Sequence, residues 1–168
     1  EVVDISDPAA PVIVGRATTR GQAADVGADG TRAYVVNGGH GENSGLQVVD
    51  VTDPAAPVTL GFVETPPYGD GLAVAGDLAY TVGLGDGGLH VIDVAGSGVV
   101  SVVAHIDTPP EARGIAAAGG LAYVGFGAFF GSGLLVADPS LPDPVLGSVQ
   151  TWGVGHDVVV AGRKAYVA

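Results

Sequence analysis

Apolar residues in this chain fall in short runs separated at close intervals by Gly, Pro and Asp, as in LQVVDV (46–51), LGFVE (60–64), GLAVA (71–75) and LAYTV (78–82). Such runs are too short for helices, none keeps a helical period over three turns, and several are rich in Val; they predict β-strands. Gly76-Asp77, between two of them, predicts a tight hairpin, because Gly supplies the positive φ such turns need. Asp53-Pro54 followed by Pro57 predicts a turn that cannot continue a hydrogen-bonded ladder. One unit then reads as strand A (71–76), strand B (78–83), strand C (45–51) and strand D (57–65).

The pattern recurs. Tyr34, Tyr80, Tyr123 and Tyr166 close strand B at steps of 46, 43 and 43, and Asp4, Asp50, Asp93 and Asp138 close strand C at steps of 46, 43 and 45. From each Asp to the next Tyr the interval is 30, 30, 30 and 28 residues, whereas from Tyr to the next Asp it is 16, 13 and 15, so length varies mainly in one connection per unit. A fixed period in this range is the mark of propellers and solenoids. Apolar residues on both faces of a four-stranded unit fit a sheet held between two neighbours. The expectation is an all-β protein, a β-propeller built of four-stranded antiparallel blades, with about four repeat units of 43 to 46 residues at approximately 1–44, 45–87, 88–132 and 133–168. The chain opens on a C–D pair and ends on an A–B pair, which predicts a single propeller domain over 1–168, incomplete at both ends and forming an arc of a larger ring. The alternative is that those halves pair and close a four-bladed ring.

An antiparallel meander puts the A–B and C–D turns at one end of the strands and the B–C and D–A connections at the other. The B–C loops (37–45, 83–88, 125–133) and the D–A segments (19–24, 65–70, 108–113, 151–156) therefore share a face. Variable loops on a rigid scaffold are where binding is expected.

The residues just before strand A differ in every unit: Ala24-Asp25, Asp70-Gly71, Arg113-Gly114 and His156-Asp157. In a propeller, strand A lines the central channel, so Asp25, Asp70, Arg113, His156 and Asp157 would ring its mouth. They would hold a polar ligand or, through carboxylates and imidazole, a cation; otherwise they are hydrated rim residues satisfying nearby backbone. Tyr68, Trp152, Phe129 and Phe130 do not repeat and fall on the same face, as interface anchors do or as side chains folded back over a blade. Gly83 to Gly88 matches GxGxxG, but a strand follows where a dinucleotide site needs a helix. His40 and Glu42 belong to a loop, and His90 and His105 to strands, where a half-buried histidine with a backbone partner is expected. The strand-closing aspartates, with Asp7 and Asp53, suit capping of turn N–H groups. No motif calls for a cofactor; Ca²⁺ is a candidate for the cation such a ring could hold, and the sequence does not specify the metal.

Composition narrows the partners. The net charge is −12 with only six Lys and Arg, which argues against nucleic acid and anionic membranes. Without cysteine neither a disulfide nor a thiolate zinc site can form, and no apolar run is long enough to insert in a membrane.

The combination GLxVVDVxDPAAPVxxG, then TPP, a short apolar strand and AYV, resembles the LVIVD repeat. Val48, Val49, Asp50, Asp53, Pro54 and Pro57 match that motif best, followed by Val2, Val3, Asp4, Asp7, Pro8 and Pro11. Ala95-Gly96-Ser97-Gly98 departs from it in the third unit, and the turn of the fourth is two residues shorter. The resemblance covers essentially the whole chain and implies bacterial or archaeal propeller blades in secreted or surface proteins; it carries no catalytic signature. The expected role is a non-catalytic extracellular or cell-surface recognition or scaffold module that binds a protein or polar small ligand on the variable-loop face. The alternatives are an enzyme with its site at the channel mouth, or a structural, filament-forming component that self-associates through open strand edges.

Overall fold

The computed structural model describes residues 1–39, 43–84, 88–96, 99–128 and 131–168. Among these, every regular element is a strand: β1 (Val2–Asp4), β2 (Val12–Gly15), β3 (Gln22–Asp29), β4 (Arg32–Gly38), β5 (Gly45–Asp50), β6 (Val58–Glu64), β7 (Gly69–Ala75), β8 (Leu78–Gly83), β9 (Leu89–Asp93), β10 (Ser101–Ile106), β11 (Ala112–Ala118), β12 (Leu121–Ala128), β13 (Gly131–Ala137), β14 (Val145–Gln150), β15 (Val158–Ala161) and β16 (Lys164–Val167). No helix is long and apolar enough to cross a membrane.

The hairpins set the local order. Gly76, at φ +60°, turns β7 into β8. Each strand-closing Asp accepts the N–H two residues on: Asp4 from Ser6 at 2.8 Å, Asp50 from Thr52 at 2.8 Å, Asp93 from Ala95 at 2.9 Å and Asp138 from Ser140 at 3.0 Å. Asp7 and Asp53 cap the following turns in the same way. These aspartates are turn caps, as their spacing predicts.

The strands pair antiparallel in sequence order as three four-stranded sheets, β3 to β6, β7 to β10 and β11 to β14, flanked by the two-stranded sheets β1–β2 and β15–β16. The two half-sheets do not pair with each other, so the described strands make an open arc of propeller blades and not a four-bladed ring.

Each blade carries two register shifts. One lies in strand D, between Val48 and Val49 opposite Leu60 in the first full blade, with counterparts at Val14, Val103 and Leu146. A bulge in the outermost strand disturbs the regular ladder that would otherwise template pairing with another chain. The other lies in strand A and shapes the site described below.

Two clusters hold the blades face to face. Tyr34, Val36, Leu46 and Val48 of the first full blade meet Ala79, Ile92 and Val94 of the second. Tyr80, Val82, Leu89, Val91 and Ile106 of the second meet Ile115, Ala122, Val124, Leu135 and Ala137 of the third. The repeated tyrosine joins these clusters in the first two full blades, where Tyr34 and Tyr80 are 2% exposed; Tyr123 is partly buried and Tyr166 is 57% exposed.

Strand C carries one variable inward position. Gln47, buried, accepts from Arg20 N through Oε1 at 3.2 Å and donates through Nε2 to Thr18 O and Thr59 Oγ1, both at 2.9 Å. His90 takes the same place 43 residues on, and Leu135 takes it in the next blade, inside the core cluster. His90 is 8% exposed and finds the ring of His105, at 4.6 Å between centroids, where a backbone partner was expected. His105 in turn faces Asp107 at 3.8 Å. Burial first, and the neighbouring His105 second, hold the His90 pKa down at about 4.

Two predictions follow from this packing. Tyr80→Ala should lower stability in urea by about 3 kcal/mol or more, the cost of truncating a buried aromatic, while Tyr166→Ala should cost a small fraction of that; equal losses would refute the blade assignment. Because the His90 pKa in the fold lies below its value of 6.5 in the unfolded chain, only the unfolded chain takes up the proton as pH falls through 6.5, and stability from this group drops until about pH 4. His90→Leu, which copies Leu135, should flatten that slope; denaturation curves at pH 7, 5.5 and 4.5 that keep it would place the titration elsewhere.

Candidate functional site

The B–C and D–A connections do share one face. Strand A begins earlier than the apolar pattern suggests, at Gln22, Gly69 and Ala112, so the unlike residues lie within it. Ala24, Asp70 and Arg113 are the extra residues of β-bulges, skipped where the register jumps from Ala23 to Asp25, Gly69 to Gly71 and Ala112 to Gly114. His156 and Asp157 repeat the arrangement by both donating to Ala168 O, at 2.7 and 3.3 Å. A bulge frees one side chain from the alternation of the strand and re-aims it. The bulge is thus a built-in socket for a variable residue in each unit.

The residue after each bulge sets how closely the next blade approaches. A Cβ on Gly71 would lie 2.1 Å from Arg113 O, and one on Gly114 would lie 2.6 Å from Asp157 Cα; only glycine fits. In the first full blade the same position is Asp25. Its carboxylate accepts from its neighbour Val26 N at 2.7 Å and from Leu72 N of the next blade at 2.9 Å. Asp157 Oδ1 likewise accepts from Val158 N at 2.8 Å.

Of the ring predicted from the sequence, the structure brings together Asp70 and Arg113, with Nη1 to Oδ2 at 3.7 Å, and adds Glu111, whose Oε2 lies 3.7 Å from Arg113 Nη2. Arg113 and its two carboxylates are partly exposed, and Arg113 Nε is buried with no hydrogen-bond partner among the described residues. Asp25 is committed to backbone, and His156 and Asp157 are exposed without an ion pair to this group among the described residues. No three His, Asp or Glu side chains converge as metal ligands among the described residues.

Glu111 is the residue that sequence reasoning missed, although it stands 43 positions after Tyr68. Both are non-glycine residues at left-handed φ, +68° for Tyr68 and +59° for Glu111. Both are tied to the neighbouring B–C connection, since Leu84 N donates to Tyr68 O at 2.9 Å and Gly127 N to Glu111 O at 3.2 Å. Tyr68 is half exposed and Trp152 fully exposed on this face. Ser44 is buried, and its Oγ donates to Pro66 O at 2.9 Å, a structural bond. The third B–C loop is shorter than expected, because β12 and β13 continue to Ala128 and Gly131. Phe129, Phe130, His40 and Glu42 lie outside the described residues, as do Gly85 to Gly87 of the GxGxxG run.

Asp25→Ala should therefore cost about 1–2 kcal/mol, since it leaves backbone donors unpaired, while Asp70→Ala and His156→Ala should stay within about 0.5 kcal/mol of the parent. Thermal melts of the three variants check the order; two destabilised rim variants would make the rim a structural element.

The LVIVD repeat profile matches residues 1–19, 20–65 and 68–103. No curated protein matches the chain. Among solved structures, a crystal structure of a nidogen/laminin complex is similar, with a TM-score of 0.55 at 12% identity over 76% of this chain. The match spans 48% of that chain, about half its length, and shows the propeller fold alone.

Proposed function

The chain belongs to the LVIVD-repeat family, and from that premise we propose that it is a recognition module of a protein acting outside the cytoplasm or at the cell surface, binding a protein segment on its variable-loop face. The setting rests on the family resemblance. The observation that carries the binding reading is Arg113, whose partly exposed guanidinium is flanked by Asp70 and Glu111 at 3.7 Å, beyond hydrogen-bond distance. A peptide carbonyl would accept from its Nη groups, and peptide N–H groups would suit the two carboxylates. Tyr68 and Trp152 on the same face supply aromatic area of the kind that anchors interfaces. The neighbour of the same fold comes from a nidogen/laminin complex, which agrees with protein recognition. The half-sheets β1–β2 and β15–β16 fit a larger ring completed by further strands.

A displayed library of random peptides panned on the protein tests this reading. Enriched peptides should bind at least about tenfold more weakly to Arg113→Gln and to Trp152→Ala, the scale of a lost interface anchor, and should be indifferent to Asp53→Asn on the opposite face. Peptides insensitive to both loop-face variants would overturn it.

A further inference from the structure

The two complete blade junctions share one plan but differ at their tight-turn end, where the first keeps a cleft of about 350 Å³ lined by Arg32, Tyr34, Gly76 and Val94. Between the first and second full blades, Arg32 reaches across and its Nη1 donates to Val94 O at 2.6 Å. Val100, one residue before the Ser101 that pairs with Asp93, packs on the cluster beneath.

Between the second and third blades both of these contacts are missing. Position 78, 46 residues after Arg32, is Leu, which can neither span the gap nor donate a hydrogen bond. The C–D turn of the third blade is shorter: Asp93 pairs with Ser101 eight residues on, but Asp138 N bonds Pro144 O only six residues on. The residue before that pairing position is Asp143, which is exposed and covers nothing.

The cleft here is larger, about 520 Å³, walled by Leu78, Tyr80, Val91 and Val103 of the second blade and by Asp138 and Ser140 of the third. Its volume is that of a ligand site. No Lys, Arg or His lines it among the described residues. Asp138 Oδ1 takes Ser140 N at 3.0 Å and Ser140 Oγ at 2.6 Å, and these bonds keep its carboxyl below the usual carboxylate range. Oδ2 makes no hydrogen bond among the described residues.

We propose that this cleft is a docking site for an arginine side chain presented by a partner protein, its guanidinium on the Asp138 carboxylate and the Pro139 carbonyl and its methylenes along Leu78 and Val91. The occupant is argued from the first junction, where the chain's own Arg32 lines the corresponding cleft and bonds Val94 O, the counterpart of Pro139 O. A guanidinium offers several donors in a fixed fork, so it can serve a carboxylate and a carbonyl together, and its stem tolerates an apolar wall. The cleft opens on the face opposite the rim of Arg113, so this site stands or falls apart from the rim.

The test titrates the 168-residue protein with the capped tripeptide acetyl-Gly-Arg-Gly-amide, followed by amide chemical shifts. A dissociation constant on the order of 1 mM is expected for a single docked side chain, with shifts concentrated at Leu78, Tyr80, Gly119, Gly120 and Asp138. Leu78→Arg, which copies Arg32, should fold and weaken binding at least about tenfold by occupying the cleft, and Asp138→Asn should weaken it comparably. Equal binding of the citrulline peptide or of guanidinium ion alone would overturn the proposal, as would no binding or shifts confined to the loop face. Should Leu78→Arg fail to fold, undiminished binding by Asp138→Asn would overturn it alone.

Discussion

The whole arc depends on the close approach of successive A strands. A four-stranded sheet with apolar residues on both faces has no stable existence alone, so each blade must be covered on both sides, and the innermost strands come closest. At Gly71 and Gly114 the next backbone fills the space a side chain would need. Asp25 shows the other solution: a carboxylate stands in the same position and turns the encounter into a hydrogen bond to Leu72 N. Because no bulky side chain fits after the bulge, variation is displaced onto the bulge residue itself, Ala24, Asp70 or Arg113. Packing and diversity are therefore adjacent in sequence.

Repetition makes the protein its own set of controls. Gln47, His90 and Leu135 occupy one position with three chemistries: a hydrogen-bonded amide, a ring held neutral by burial against His105, and an aliphatic core residue. The position accepts all three because its backbone pairing is unchanged. Differences between units at otherwise equivalent places are then the informative residues. Arg32 against Leu78 is such a pair, and so is Asp25 against Gly71.

The strand order, the hairpins, the turn-capping aspartates and the place of the repeated tyrosines in strand B were all legible in the sequence, since each follows from local chemistry at a fixed period. What was not legible depends on register or on a neighbouring blade. A bulge is a mismatch between two strands, and nothing in GDGLAVA alone says that Asp70 will be the unpaired residue. Arg113 belongs to one unit and Asp70 to the one before, so their pairing needed the fold. Glu111 could have been found by stepping 43 residues from Tyr68, but Tyr and Glu look unrelated until both appear with left-handed φ. The larger cleft at Leu78 needs two differences, a lost arginine and a shortened turn, whose meeting in space is tertiary.

The left-handed residues bear on the loop face in one more way. Holding a side chain at positive φ costs on the order of 1 kcal/mol or more, and glycine would adopt the same geometry at less cost. The fourth unit takes another path: Val154, 43 residues after Glu111, is not left-handed, and Gly153 before it takes φ +126°. At Tyr68 and Glu111 the backbone is instead pinned by Leu84 and Gly127, and a side chain is projected where the D–A connection meets the rim. A scaffold with no task on this face would gain stability from glycine at both places. The strain is explained if the phenol and the carboxylate are what the face presents, and Glu111 beside Arg113 is already part of the charged cluster the rim assembles.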